Sequence, residues 1–224
     1  MTEQRWSEVD RYFSELLSKS DAALDEALRA TAAADMPEIN VSPNQGKLLQ
    51  LLARSIGARR ILEIGTLGGY STIWLARALP PDGRLITLEA SGKHAEVARA
   101  NIARAGLADI VEVRLGRALE TLPRLASEGG EPFDLIFIDA DKPSTLDYFE
   151  WALRLSRPGT LIIVDNVVRA GEILETGSDS PTLQGIHRFL DRLAAEPRVT
   201  ATAIQTVGSK GYDGFAMALV TGDA

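Results

Sequence analysis

The sequence predicts a doubly wound α/β fold, and three observations carry that prediction. Between residues 60 and 164, short and nearly all-apolar segments alternate five times with segments of helical periodicity. Apolar strands of that kind suit a parallel sheet covered on both faces by its crossover helices. The first of them, Arg60-Ile61-Leu62-Glu63-Ile64, runs directly into Gly65, Gly68 and Gly69, which reads as a strand-to-helix turn. Finally, the strand-like segments 199–207 and 215–220 are separated only by a glycine-rich loop, so an antiparallel hairpin finishes the sheet. The expected architecture is a mostly parallel seven-stranded sheet with an antiparallel last strand and an N-terminal helical extension.

Taken in order, Val9, Phe13, Leu16 and Leu17 recur at helical spacing. Leu24 and Leu28 continue the pattern through an alanine-rich stretch to Ala34, where Met36-Pro37 breaks it. A third helix fits residues 44–56, with Asn44 as its cap and Leu48, Leu49, Leu51 and Leu52 apolar. Strand 60–64 leads to a helix over 70–79, strand 84–89 to a helix over 93–105, and strand 110–114 to a helical stretch around 119–125. The polar loop 127–132 precedes strand 133–139 and a helix over 146–155. Arg157-Pro158-Gly159 then turns into strand 160–164, and a helix over 182–195 reaches the hairpin. With no internal repeat and no dividing linker, residues 1–224 read as one domain, a helical cap (1–58) on a sheet core (59–224).

Composition narrows the functional classes. At 224 residues, 45% hydrophobic and 25% charged, the chain suits one well-packed α/β domain. Lys and Arg total 24 against 31 Asp and Glu, a net charge of −7 that repels phosphate backbones and disfavours a nucleic-acid partner. The absence of cysteine excludes disulfides, thiolate metal sites and a Cys nucleophile and fits a cytoplasmic address. The first residues lack the apolar core of a signal peptide, and no apolar run approaches membrane-spanning length, so no membrane association is expected.

Open α/β sheets bind ligands beyond the carboxyl ends of their strands, at the switch point of strand order. Those positions here are Glu63 and Gly65, then Glu89, Arg117-Ala118, Asp139 and Asp165-Asn166. Each acid taken alone is better read as a helix cap or turn residue; their convergence on one edge is not. The glycine spacing is G-x-x-G-G rather than G-x-G-x-x-G, so a pyrophosphate has no ready cradle. That disfavours an NAD-linked oxidoreductase. Glu89, at the end of the second strand, suits the ribose hydroxyls of any adenosine ligand.

With Asn40-Val41-Ser42, Glu63-Ile64-Gly65, Gly69-Tyr70-Ser71, Glu89, Asp139-Ala140-Asp141-Lys142 and Asp165-Asn166, the chain resembles the cation-dependent, S-adenosylmethionine-dependent O-methyltransferases of the catechol and caffeoyl-coenzyme-A type. The resemblance runs from the helices before Val41 to the final hairpin and implies a Rossmann-like fold. It implies that S-adenosylmethionine lies with its methionine end against Val41, Gly65, Ser71 and Asp139, its ribose on Glu89 and its adenine near Ala118. Glu63, Gly69 and Tyr70 complete the implied cofactor set. Asp139, Asp165 and Asn166 would supply oxygen ligands to Mg²⁺ or another divalent cation, and Lys142 would be the general base. The implied acceptor is a catechol-like small molecule whose vicinal hydroxyls chelate the ion, and the implied assembly is a homodimer. Pro37 and Asp141 stand where the animal catechol enzyme has ring-covering aromatics, which implies a different acceptor pocket. A metal-independent methyltransferase of the same fold remains the alternative. Trp74 and Trp151 read as core, and His94 and His187 as surface or packing residues. Trp6 and Tyr12 are candidates for a dimer interface.

Overall fold

The computed structural model describes residues 2–222; Met1, Asp223 and Ala224, inside the expected 1–224 bounds, lie outside the described residues. Three helices open the chain: α1 (Glu3–Leu17), α2 (Ala22–Ala33) and α3 (Pro43–Ser55). Five parallel strands follow, β1 (Arg60–Ile64), β2 (Arg84–Glu89), β3 (Val111–Leu115), β4 (Leu135–Ile138) and β5 (Leu161–Asp165). They are linked by α4 (Tyr70–Ala76), α5 (Gly92–Arg104), α6 (Ala118–Ser127) and α7 (Thr145–Arg154). Helix α8 (Pro181–Ala195) then leads to β6 (Val199–Gly208) and β7 (Gly211–Val220). The sheet order is β3-β2-β1-β4-β5-β7-β6, and β7 is antiparallel to both of its neighbours. The expected seven-stranded, mostly parallel sheet is therefore what the chain forms.

Side chains of successive strand residues point to opposite faces, and two cores result. Ile61, Leu85, Leu135, Phe137 and Ile163 pack with α2, α3 and α4 on one face. Leu62, Ile64, Ile136, Ile138 and Val164 pack with α6, α7 and α8 on the other. Trp74 is buried in the first core, and Trp151 packs half-buried against the second. Ile64 pairs with both Leu88 and Ile138, so β1, β2 and β4 end level with one another. Strand order departs in opposite directions from the β1–β4 pair, which places the switch point at the mouth of the glycine turn.

Several boundaries differ from the expectations. The first helical stretch is interrupted after Leu17, where Asp21 caps α2 by accepting from the Ala23 and Leu24 amides. Ser42, not Asn44, caps α3: it accepts from the Gln45 amide, and Pro43 occupies the first turn, where its missing N–H costs nothing. Asn44 instead donates to Asp10 of α1. The segment 208–214, expected as a loop, is mostly strand. Val207 pairs with Tyr212 and Gly208 with Gly211, so only Ser209 and Lys210 form the turn. Its glycines serve close packing: a Cβ on Gly214 would stand 2.3 Å from the Ile204 carbonyl oxygen, and one on Gly208 2.2 Å from the Asp10 carboxylate.

Helix α1 packs on β6 and α3 yet buries none of its residues. Val9, Tyr12, Phe13, Leu16 and Leu17 are exposed on it, as are Ile204 and Val207 of β6. Among the described residues no helix is long and apolar enough to cross a membrane.

Candidate active site

A cavity of about 490 Å³ opens at the carboxyl edge of β1, β2 and β4. Its floor is the turn after β1. Gly65 has φ of +102°, and a Cβ there would stand 2.0 Å from the Asp139 carbonyl oxygen, so only glycine lets the two strand ends approach this closely. Leu67 and Gly69 are also left-handed, at φ of +50° and +83°. Two helices brace this turn: Asn101 of α5 donates to the Gly68 carbonyl at 2.8 Å, and Thr31 of α2, in the helical cap, packs against Gly68.

Of the residues singled out from the sequence, Val41, Gly65, Tyr70, Ser71, Glu89, Ala118, Asp139, Lys142 and Asn166 line this cavity. Glu63, Gly69 and Asp165 are not among the residues that line it. Glu63 is fully buried and accepts hydrogen bonds from Ser71, Thr72 and Thr87, the first at 2.6 Å and the last at 2.7 Å. Burial pushes its carboxyl up to about 7 although those three hydroxyls oppose the shift, and Asp139 adds to it. Glu63 thereby aims Ser71, which faces the cavity. Tyr70 is buried edge-on to Trp74, and its hydroxyl has no partner among the described residues.

Glu89 is held rigidly at the end of β2. One oxygen accepts from the Leu67 amide and the other from the Ser91 amide, both at 2.9 Å. His94 Nδ1 lies 3.4 Å from the latter oxygen, and the imidazole lines the cavity. The expectation that His94 merely packs on a helix missed this placement; the signal was its position on the first turn after β2, level with the acid. His187, by contrast, bonds the Ile173 carbonyl.

Beyond the ends of β4 and β5 two acids are neighbours, Asp139 half-buried and Asp165 buried. Asp165 is 5% exposed, and burial together with the neighbouring Asp139 pushes its carboxyl upward against the pull of Lys142. Gln45 donates to one oxygen of Asp165 at 2.6 Å, and the Asn166 amide donates to the other at 2.8 Å. Asn166 has φ of +60°, a left-handed conformation that asparagine tolerates better than most residues. Lys142 Nζ lies 2.9 Å from Asp139 Oδ1, with 13% of its side chain exposed. Among the described residues no three His, Cys, Asp or Glu side chains cluster as a metal site; Asp139, Asp165 and Asn166 are two carboxylates and a carboxamide.

Two further residues, Tyr148 on the wall and Gln45 beside Asp165, escaped the sequence reading. Tyr148 donates to Asp141. Burial would raise the Asp141 carboxyl, but hydrogen bonds from Ser144 and Tyr148 hold it below the usual range. Gln45 supports Asp165 from 120 residues away. Arg169 completes the mouth.

The comparisons with known proteins agree with this geometry. A family model described as O-methyltransferase matches residues 14–219. A catechol O-methyltransferase of Niastella koreensis is 57% identical over 220 residues, covering 98% of this chain and 100% of that protein. A solved O-methyltransferase of Bacillus cereus in complex with S-adenosylhomocysteine superposes with a TM-score of 0.97 at 61% identity, covering 98% of this chain and 100% of the other. The O-methyltransferase TomG of Streptomyces achromogenes, solved with S-adenosylmethionine, gives 0.96 at 56% identity, covering 99% and 100%.

Proposed function

The chain belongs to the O-methyltransferase family and is an S-adenosylmethionine-dependent O-methyltransferase, and from that premise we propose that it methylates one hydroxyl of a catechol-like vicinal diol with the help of a divalent cation. The observation that carries this reading is the corner of Asp139, Asp165 and Asn166. A buried carboxyl raised in part by its neighbour Asp139, beside a carboxamide, makes a set of oxygen donors, and such donors suit a hard ion, Mg²⁺ first and Mn²⁺ or Ca²⁺ next. Such an ion, when bound, would hold the two acceptor oxygens and lower the pKa of the reacting hydroxyl, while the cofactor would supply the methyl group from its sulfonium.

The protein's own part is positioning and one proton transfer. Val41, Gly65, Ser71 and Asp139 would hold the methionine end of the cofactor, with Glu63 fixing Ser71 from behind. Glu89 would accept from the ribose hydroxyls, which its anchoring by Leu67 and Ser91 leaves lone pairs to do. Ala118 would border the adenine, Tyr70 and Gly69 would shape the turn, and Lys142 Nζ would take the acceptor's hydroxyl proton. Holding both reactants in line for displacement supplies much of the rate. We place all of this in a single methyltransferase domain, with residues 1–58 as its cap. The exposed apolar residues of α1 and β6 support a homodimer.

Paired dihydroxybenzoates test the acceptor class. The isomers with adjacent hydroxyls are expected to be methylated, and those with separated hydroxyls to be turned over at least about 100-fold more slowly, because only adjacent oxygens chelate one ion. Equal turnover of both would remove the vicinal-diol requirement. For the cofactor site, Glu89→Ala is expected to weaken S-adenosylhomocysteine binding by about 1.5–3 kcal/mol, the loss of charge-assisted hydrogen bonds. Titration calorimetry measures it, and an unchanged dissociation constant would leave Glu89 with only its turn-anchoring role.

A further inference from the structure

Resting on the vicinal-diol reading above, we propose that Arg169 selects acceptors that carry an anionic group, so that the preferred substrate is an aromatic vicinal diol bearing a carboxylate. Arg169 lies three residues beyond Asn166 and lines the mouth of the same cavity. Its backbone is left-handed at φ of +53°, as are Ala170 at +56° and Gly171 at +92°. For non-glycine residues that conformation is disfavoured and persists only where the surroundings hold it. Here the hold is Asp213: its Oδ1 accepts from the amides of Val168 at 3.1 Å, Arg169 at 2.9 Å and Gly214 at 2.9 Å. The strained turn brings a guanidinium to the cavity wall.

That guanidinium is poorly matched by the protein itself. Its Nη1 is 3.7 Å from Asp213 Oδ2, too long for a hydrogen bond. Its Nε is shut off from solvent with no partner among the described residues. The side chain as a whole is 39% exposed, so its terminal nitrogens are open to a ligand, and a carboxylate offers the two oxygens that a guanidinium fork matches. The other charged groups on the wall are already engaged. Lys142 is paired with Asp139, Asp141 accepts from Tyr148, and Glu89 is held by backbone amides. Among the described residues of the wall, Arg169 is thus the cation left with donors to offer an acceptor.

The test compares protocatechuate, its uncharged methyl ester and dopamine as acceptors for the wild type, Arg169→Gln and Arg169→Lys. The wild type is expected to prefer protocatechuate over the ester by at least about tenfold in kcat/KM, and dopamine least. Arg169→Gln is expected to lower that acid-to-ester ratio by about tenfold, mainly through KM, and Arg169→Lys to keep part of it as a point charge without the fork. Equal wild-type turnover of acid and ester, or an Arg169→Gln variant losing both in proportion, would overturn the selection by Arg169. Methylation of none of the three would overturn the vicinal-diol reading beneath it. S-adenosylhomocysteine affinity reports whether each variant is folded; should Arg169→Gln lose it, the wild-type and Arg169→Lys ratios decide, and a ratio unchanged in Arg169→Lys counts against the proposal.

Discussion

Replacing Lys142 by alanine is expected to lower kcat by about 10²–10⁴, the usual cost of removing a general base. Lys142 sits on the turn after β4, with its amine fixed against Asp139 at 2.9 Å and its side chain largely shielded. A flexible surface lysine would be spread over many rotamers; this one is presented to the cavity in a defined position. Two roles are possible for it, taking the acceptor's proton or steering the acceptor's oxygen by charge alone. Lys142→Arg separates them, because a guanidinium keeps the charge but does not give up its own proton to become a base. If Lys142 takes the proton, the arginine variant is expected to be nearly as impaired as the alanine one at neutral pH. If it only steers, arginine restores most of the rate. S-adenosylhomocysteine affinity should stay within a few-fold of wild type in both. An alanine variant within a few-fold of wild type in kcat at neutral pH would remove Lys142 from the chemistry.

Stripping divalent cations is expected to bring turnover down to background while much of the cofactor affinity survives. The proposed ligands explain the separation: of the three, only Asp139 is also assigned to the cofactor. Added Mg²⁺ should restore activity. The sign of the pH dependence follows from Asp165. Burial and Asp139 push its carboxyl upward, so at lower pH it holds a proton that a cation must displace. Apparent cation affinity is therefore expected to rise with pH as Asp165 loses its proton, and to fall on acidification. Mn²⁺ titrations followed by calorimetry across a pH series measure this without relying on turnover. Full activity in excess chelator, after elemental analysis has found no bound metal, would remove the cation from the reaction.

The sheet was legible because its strands are almost entirely apolar, a pattern that only burial on both faces explains. The strand-end residues Gly65, Glu89, Asp139 and Asn166 were legible for a related reason. Once strands are parallel, their ends must meet at one edge, so position along the chain becomes position in space. The boundaries that shifted were those set by competing local devices. Ser42 with Pro43 outcompeted Asn44 as a cap, and the glycines of 208–214 continued a hairpin instead of ending it.

What the sequence by itself determined, then, is which face each residue takes and which strand end it stands on, because both follow from the local periods of helix and strand. The contacts that complete the site were decided by tertiary structure. Gln45 reaches Asp165 across 120 residues, His94 turns toward Glu89, and Asp213 holds Arg169 from 44 residues away. The left-handed backbone at Arg169 and Ala170 carries no glycine to announce it; it exists because the Asp213 carboxylate gathers three amides around itself. Such contacts depend on distances of a few ångströms between segments that only the packed sheet brings together, and no periodicity within either segment encodes them.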